Sequence, residues 1–268
     1  MDQHITTFAV PGELDKARLI LEQRNLPFQV ISAAPAYARV GTAALIVEQK
    51  VKSEFYLNGP PDFICSGWVE YRPLAVELPT DNPPHFPEDV FGEARIMVFQ
   101  PCVADAARVR SIAHISGDLS PALPYLNAVM PEASYNPHSQ ILSYMANRRM
   151  VSLYPRRITV AKADDLFDLW KMLESIRIRV NECWARRHEL QPSDEMRKKP
   201  PALEIFSRLP KTNCGKCGEN TCLAFAVKLW NGQAGPRECP EVFGGNFRWM
   251  EEALLQICTG WGASQGSV

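Results

Sequence analysis

Apolar positions along this chain recur with two periods, and the change from one to the other marks its elements. Residues 5–10 (Ile-Thr-Thr-Phe-Ala-Val) form a β-rich run, broken by Pro11 and Gly12. Leu14, Ala17, Leu19, Ile20 and Leu21 then share a helical face up to Arg24 and Asn25. Residues 26–31 and 43–47 read as further strands, and 95–99 as a buried one. Residues 104–115 have helical composition, ending near Gly117. Ser120 followed by Pro121 fits an N-cap with proline at the first helical position, opening a short helix through Val129. Residues 150–154 and 158–161 read as strands flanking a turn at 155–157. The clearest helix is 164–187. Leu166, Trp170, Leu173, Ile176, Val180 and Trp184 repeat at three- and four-residue intervals, with Asp164 and Asp165 at the positive end and Arg186 and Arg187 at the negative end.

These elements predict an α+β (or α/β) protein of two small N-terminal modules and a small C-terminal one. The expected division is 1–78 for the first α/β module and 79–93 for a proline-rich linker. Residues 94–190 form a second α/β module ending in the long helix, 191–201 a second linker, and 202–268 the C-terminal domain. The linkers rest on proline: Pro79, Pro83, Pro84 and Pro87 can continue neither a helix nor a central strand.

Composition narrows the function classes. The hydrophobic fraction is 46% and the charged fraction 22%, enough apolar material for a buried core. A net charge of −1 lacks the basic surplus that nucleic acid or an anionic membrane would require. No apolar run is long enough to cross a bilayer, and the N-terminus lacks the pattern of a signal peptide, so a cytoplasmic setting is expected. In that compartment clustered cysteines bind metal or do redox work more often than they form structural disulfides.

Four of the eight cysteines are clustered. Cys214, Cys217, Cys222 and Cys239 follow C-x2-C-x4-C-x16-C, and Pro240 succeeds the last. A cubane iron–sulfur cluster needs four soft thiolates from one region of chain. Here C-x2-C delivers two from one tight turn, eased by Gly215 and Gly218. Thr221 can cap a helix starting at Cys222, Gly232 can end it, and the chain then returns to Cys239. Structural zinc is the competing reading, but zinc sites usually pair one C-x2-C with another or with two histidines.

The stretch 209–218 (Leu-Pro-Lys-Thr-Asn-Cys-Gly-Lys-Cys-Gly), with 221–226 (Thr-Cys-Leu-Ala-Phe-Ala) and Cys239-Pro240, resembles the small [4Fe-4S] domain of the corrinoid iron–sulfur protein large subunit. It is also similar to the cluster domain of the B subunit of the Rnf electron-transport complex. The resemblance covers roughly 202–243. It implies that Cys214, Cys217, Cys222 and Cys239 hold one [4Fe-4S] cluster used in one-electron transfer. Two departures limit it. The remaining chain is too short for a full (β/α)8 barrel. The cobalamin signature D-x-H-x-x-G is missing its aspartate, because Ile112 precedes His114 and Gly117. Corrinoid binding by this chain is therefore not expected.

The other chemistry-bearing residues read mostly as structure. Cys65, Cys102, Cys183 and Cys258 are scattered and look like small buried hydrophobes. Cys102, between a strand and an expected helix, could have its thiolate stabilised there. His114, Asp118, Asn127, Tyr135, Asn136 and His138 could line a pocket or act as caps and turns. Arg148, Arg149, Arg156 and Arg157 could hold an anion or form a solvated hairpin face. The function expected from all this is that of an accessory iron–sulfur protein rather than a stand-alone enzyme. It would pass single electrons to a protein partner, with a corrinoid or other metalloenzyme of one-carbon metabolism as the partner the resemblance implies. The alternative is a scaffold or redox-sensing interaction protein whose cluster is structural.

Overall fold

The computed structural model describes residues 3–58, 64–73, 78–103, 105–146, 149–196 and 200–259. Along the chain the elements are β1 (Gln3–Thr7), α1 (Glu13–Gln23), β2 (Phe28–Ile31), β3 (Ala44–Glu48), α2 (Gln49–Asn58), β4 (Val69–Glu70), β5 (Ala94–Cys102) and β6 (Asp105–Ile115). There follow α3 (Leu123–Val129), β7 (Ser134–Asn136), β8 (Ile141–Ala146), β9 (Arg149–Tyr154), β10 (Arg157–Ala163) and α4 (Leu166–Ala185). Last come α5 (Ala202–Ser207), α6 (Cys222–Trp230), α7 (Pro240–Phe243) and α8 (Glu251–Thr259). Neighbouring strands pair antiparallel in every register described below, so the fold is α+β.

Contacts group the chain into two compact units, and both are discontinuous: Met1–Leu119 with Pro155–Ala185, and Ser120–Tyr154 with Arg186–Val268. This grouping cuts the chain at places other than the linkers expected at 79–93 and 191–201.

The first unit opens with β1-α1-β2-β3-α2-β4 in the sheet order β2-β3-β1-β4. That is the ferredoxin-like split βαβ topology, a description of fold that implies no cluster in this unit. Ile5 faces Ile46 across β1 and β3. Ala17, Leu21, Leu45, Val47, Val51, Phe55 and Trp68 form the core beneath α1 and α2. The unit's remaining strands run β5-β6-β10, with Val98 opposite Ile112 and Ile112 opposite Thr159.

Of the helix expected over 104–115, residue 104 lies outside the described residues and 105–115 form strand β6. Val109, Ser111, Ala113 and Ile115 are buried in alternation with the exposed Arg110 and His114, the two-residue period of a sheet. Alanine favours a helix, but intrinsic propensity is a weak prior, and pairing to β5 and β10 on both sides overrides it. The short helix α3 begins at Leu123, later than the Ser120 cap implied. Helix α4 matches the expected periodicity, burying Leu166, Trp170, Leu173, Ile176 and Val180.

Beneath α4 lies a buried ionic network. Arg177, 1% exposed, donates twice to Glu174 (2.7 and 2.9 Å), to Asp89 at 3.3 Å and to the Pro84 carbonyl at 2.8 Å. Its guanidinium also lies 5.3 Å from the Phe86 ring centre. Asp89 accepts from the backbone of Phe91 and Gly92 and from the Asn181 amide. The proline-rich segment expected as a linker is thus fastened to α4.

Burial alone would raise the Asp89 carboxyl. The Gly92 N–H, the Asn181 amide, the Arg177 charge and the Phe91 N–H outweigh it and hold the pKa below the usual carboxylate value. A carboxyl lowered in the folded state contributes stability that is present above its ordinary pKa and lost as pH falls through the folded value. Asp89→Asn is therefore expected to flatten the acid limb of a stability–pH curve between roughly pH 2 and 5. Urea denaturation across that range is the check, and an unchanged limb would place the acid sensitivity elsewhere.

In the second unit β7 pairs with β8 and β8 with β9, placing Tyr135 opposite Leu142 and Leu142 opposite Leu153. Asn127, fully buried on α3, donates to the carbonyls of Ser193 (2.8 Å) and Glu195 (3.1 Å), which ties down the expected 191–201 linker there. The C-terminal helices share a core of Ile205, Leu209, Phe225, Ala226, Leu229, Val242 and Leu254, and Cys222, Cys239 and Cys258 belong to it. Among the described residues no helix is long and apolar enough to cross a membrane.

Candidate metal centre

Helix α6 brings the third cysteine into place, and two side chains cap its start. The Thr221 hydroxyl accepts from the Ala224 N–H at 3.0 Å, and the Asn213 carboxamide oxygen accepts from the Cys222 N–H at 2.9 Å. These N–H groups would otherwise lack intrahelical partners. Asn213 directly precedes the first cysteine, so one side chain fixes the Cys214 loop to the helix that begins at Cys222. Thr221→Ala should cost about 1 kcal/mol, with Thr221→Ser near wild type, in urea denaturation of the intact chain. Equal stability of all three forms would deny the cap its role. The helix stops before Gly232, whose φ of +65° suits glycine, and a Cβ there would lie 2.5 Å from Met145 Cγ on β8.

The loop between Lys211 and Gly218 is wound in an unusual way. Lys211, Asn213, Gly215 and Gly218 all have positive φ, at 61°, 50°, 72° and 83°. A Cβ on Gly215 or Gly218 would meet nothing within 4 Å, so backbone conformation and not space demands glycine there.

All four cysteines line one recess, together with Pro210, Phe225, Pro240, Glu219 and Glu241. Their burial is graded: Cys222 and Cys239 are 8% and 5% exposed, Cys217 is half-buried and Cys214 is exposed. The Lys216 N–H and the Thr212 hydroxyl donate to Cys214 and hold its thiol below the ordinary value. Burial pushes the Cys239 thiol up and the neighbouring Cys217 and Cys222 add to this, while the N–H groups of Val242 and Glu241 oppose it. Among the described residues, no three His, Cys, Asp or Glu side chains are grouped closely enough to hold a single metal ion.

Four thiols around one apolar-floored recess, with backbone N–H groups aimed at two of the sulfurs, fit the donor set of an iron–sulfur cluster. Two carboxylates of the same wall are each paired with a lysine, Glu241 with Lys216 and Glu219 with Lys228. Asn213, Glu219 and Glu241 carry no signal in the cysteine spacing. Only their closeness to the cysteines in sequence could have drawn notice to them.

Among the described residues, the other candidates within each unit serve as core, turn or ion-pair residues. Cys65 is half-buried, and Cys102, Cys183 and Cys258 are buried. Cys102 ends β5 and is followed by strand β6, where a helix is expected from the sequence. Burial pushes the Cys258 thiol up to about 12, only weakly opposed by Arg208. Asn136 accepts from the N–H groups of His138 and Ser139 as a turn, Tyr135 is buried, His114 is exposed on β6, and Asp118 pairs with Arg156. Arg148 lies outside the described residues.

Comparison with known proteins defines the class of this segment. Residues 209–241 match a family model described as FeS, "Putative Fe-S cluster". The relatives then give the context. One 53-residue stretch is 42% identical to the acetyl-CoA decarbonylase/synthase complex subunit gamma of Methanopyrus kandleri, covering 20% of this chain and 12% of that protein. A 40-residue stretch is 58% identical to the corrinoid/iron-sulfur protein large subunit of Moorella thermoacetica, covering 15% and 9%. The gamma subunit of Methanocaldococcus jannaschii is 39% identical over 62 residues, covering 23% and 13%. The chain thus spans about a tenth of the length of these curated relatives. The resemblance read from the cysteine motif is borne out for the corrinoid iron–sulfur protein, over the C-terminal region alone. No solved structure matches the chain.

Proposed function

We propose that Cys214, Cys217, Cys222 and Cys239 bind one [4Fe-4S] cluster, and that the chain is an accessory protein passing single electrons to a protein partner. The relatives' names suggest a corrinoid or other metalloenzyme of one-carbon metabolism as that partner. A cytoplasmic setting is part of this proposal, since clustered cysteines there bind metal more often than they form structural disulfides.

The observation that carries this reading is the graded burial of the four thiols around one recess. Cys222 and Cys239 anchor the site in the hydrophobic core, while Cys214 lies in a run of six exposed residues, 211–216. A centre held this way is fixed on one side and reachable by a docked partner on the other. The cluster would supply a reversible one-electron couple. The protein's own part is to hold four thiolates, to aim the N–H groups of Lys216, Glu241 and Val242 at sulfur, and to keep water from the Phe225 side.

The test is anaerobic reconstitution with iron and sulfide, followed by metal analysis and EPR. About four irons per chain and a signal that appears on one-electron reduction are expected. Protein that takes up zinc but no reducible cluster would refute the assignment.

A further inference from the structure

We propose that the two carboxylate–lysine pairs at the cysteine recess, Glu241–Lys216 and Glu219–Lys228, hold down the reduction potential of the cluster bound there, with the carboxylates as the near, negative ends. The proposal rests on the cluster reading above and adds to it the residues that set the site's affinity for an electron.

The geometry of the pairs is asymmetric. Glu241 and Glu219 line the recess with the four cysteines, and neither lysine does. The carboxylate side chains are 11% and 19% exposed, and those of Lys216 and Lys228 are 61% and 46% exposed. Solvent therefore screens each lysine more than its carboxylate. Reduction adds one electron, hence one negative charge, to a site already surrounded by thiolates. A buried carboxylate on its wall opposes that charge, and an exposed ammonium behind it compensates only in part.

Both carboxylates are also held in place. A Cβ on Gly245 would lie 2.8 Å from Glu241 Cα and 2.9 Å from Oε2, and the Phe247 N–H donates to the Glu241 carbonyl at 3.0 Å. Lys228 stands in the last turn of α6, which fixes the partner of Glu219. The other charges nearby are engaged elsewhere. Arg237 lies over the Phe243 ring, Lys211 over Phe206, Arg208 donates to the Glu204 carbonyl, and Glu238 accepts from the Gly235 N–H.

The experiment is a potentiometric titration of the full chain, reconstituted anaerobically, with dithionite as reductant and EPR of the reduced form as readout. Wild type, E241Q, E219Q, K216Q and K228Q are compared at equal iron and sulfide content. E241Q and E219Q should shift the midpoint upward. K216Q and K228Q should shift it downward, by less than the carboxamides raise it. A mere clamp on the loop would alter iron retention and leave the midpoint in place. Fully loaded E241Q and E219Q titrating with wild type would therefore overturn the proposal while the cluster assignment stands. Wild-type protein without a reducible cluster would overturn both. Should E241Q fail to retain iron, E219Q decides on the sign of its shift, and the charge-conserving E241D should keep the wild-type midpoint.

Discussion

Cys222→Ala is expected to abolish the iron–sulfur chromophore and to unfold the C-terminal helices in the same step. Cys222 is the first residue of α6, and with Cys239 it belongs to the core shared by Ile205, Leu209, Phe225, Leu229, Val242 and Leu254. The proposed ligand set and the hydrophobic core thus have residues in common. Where a site is not preformed in the unfolded chain, metal-binding free energy becomes folding free energy. Iron content should fall close to zero, and circular dichroism should lose helical signal at temperatures where wild type keeps it. Cys258→Ala is the control. Its thiol is buried in the same core, pushed up to about 12, and is not among the residues lining the recess. That variant should keep its full iron content and lose roughly 1–2 kcal/mol from the smaller side chain. Retention of the chromophore by Cys222→Ala would remove Cys222 from the proposed ligand set, and its loss in Cys258→Ala would show that disturbing the core alone releases the cluster.

Arg177→Met should destabilise the first unit by roughly 3–5 kcal/mol, the cost of leaving buried carboxylates without their cation. The guanidinium is 1% exposed, while the side chains of Glu174 and Asp89 are 7% and 16% exposed. Arg177→Lys should recover little, since an ammonium cannot bond both oxygens of Glu174 while also reaching Asp89 and the Pro84 carbonyl. Adding Glu174→Leu to Arg177→Met should restore part of the loss by removing one stranded charge. Urea denaturation reports the stability, and protease cleavage within 79–93 reports release of the proline-rich segment. An Arg177→Met protein within about 1 kcal/mol of wild type would show that the network is dispensable.

What the sequence disclosed follows the range over which each signal acts. The Thr221 cap, the stop at Gly232 and the period of α4 depend on residues within a turn or two, and all were legible. The cysteine spacing was legible because the four residues are close in sequence and the chemistry of such a set is narrow. Strand β6 is hidden in the sequence because its alanine content favours a helix and obscures the alternation of Val109, Ser111, Ala113 and Ile115. That alternation has meaning only once β5 and β10 lie alongside. The role of 79–93 depended on Arg177 and Asn181, some ninety positions away. Prolines forbid regular structure, but they say nothing about whether a segment is anchored. In the site, Glu241 meets Lys216 across 25 positions, a pairing that exists only after the recess has formed.

The interleaving of the two units along the chain has a consequence for synthesis. Residues 120–154 of the second unit leave the ribosome before 155–185 of the first, and their partners at 186–268 come later still. The first unit cannot close until α4 has emerged to take up Asp89 and the proline-rich segment. By then β7, β8 and β9 are already outside, while residues 186–268 of the same unit are still to come. N-terminal-first folding, the usual course for a chain of consecutive domains, is therefore closed to this one. A truncation at the α4 boundary or a slow codon run near it should yield nascent chains that recruit chaperones, with the half-made second unit as the exposed part.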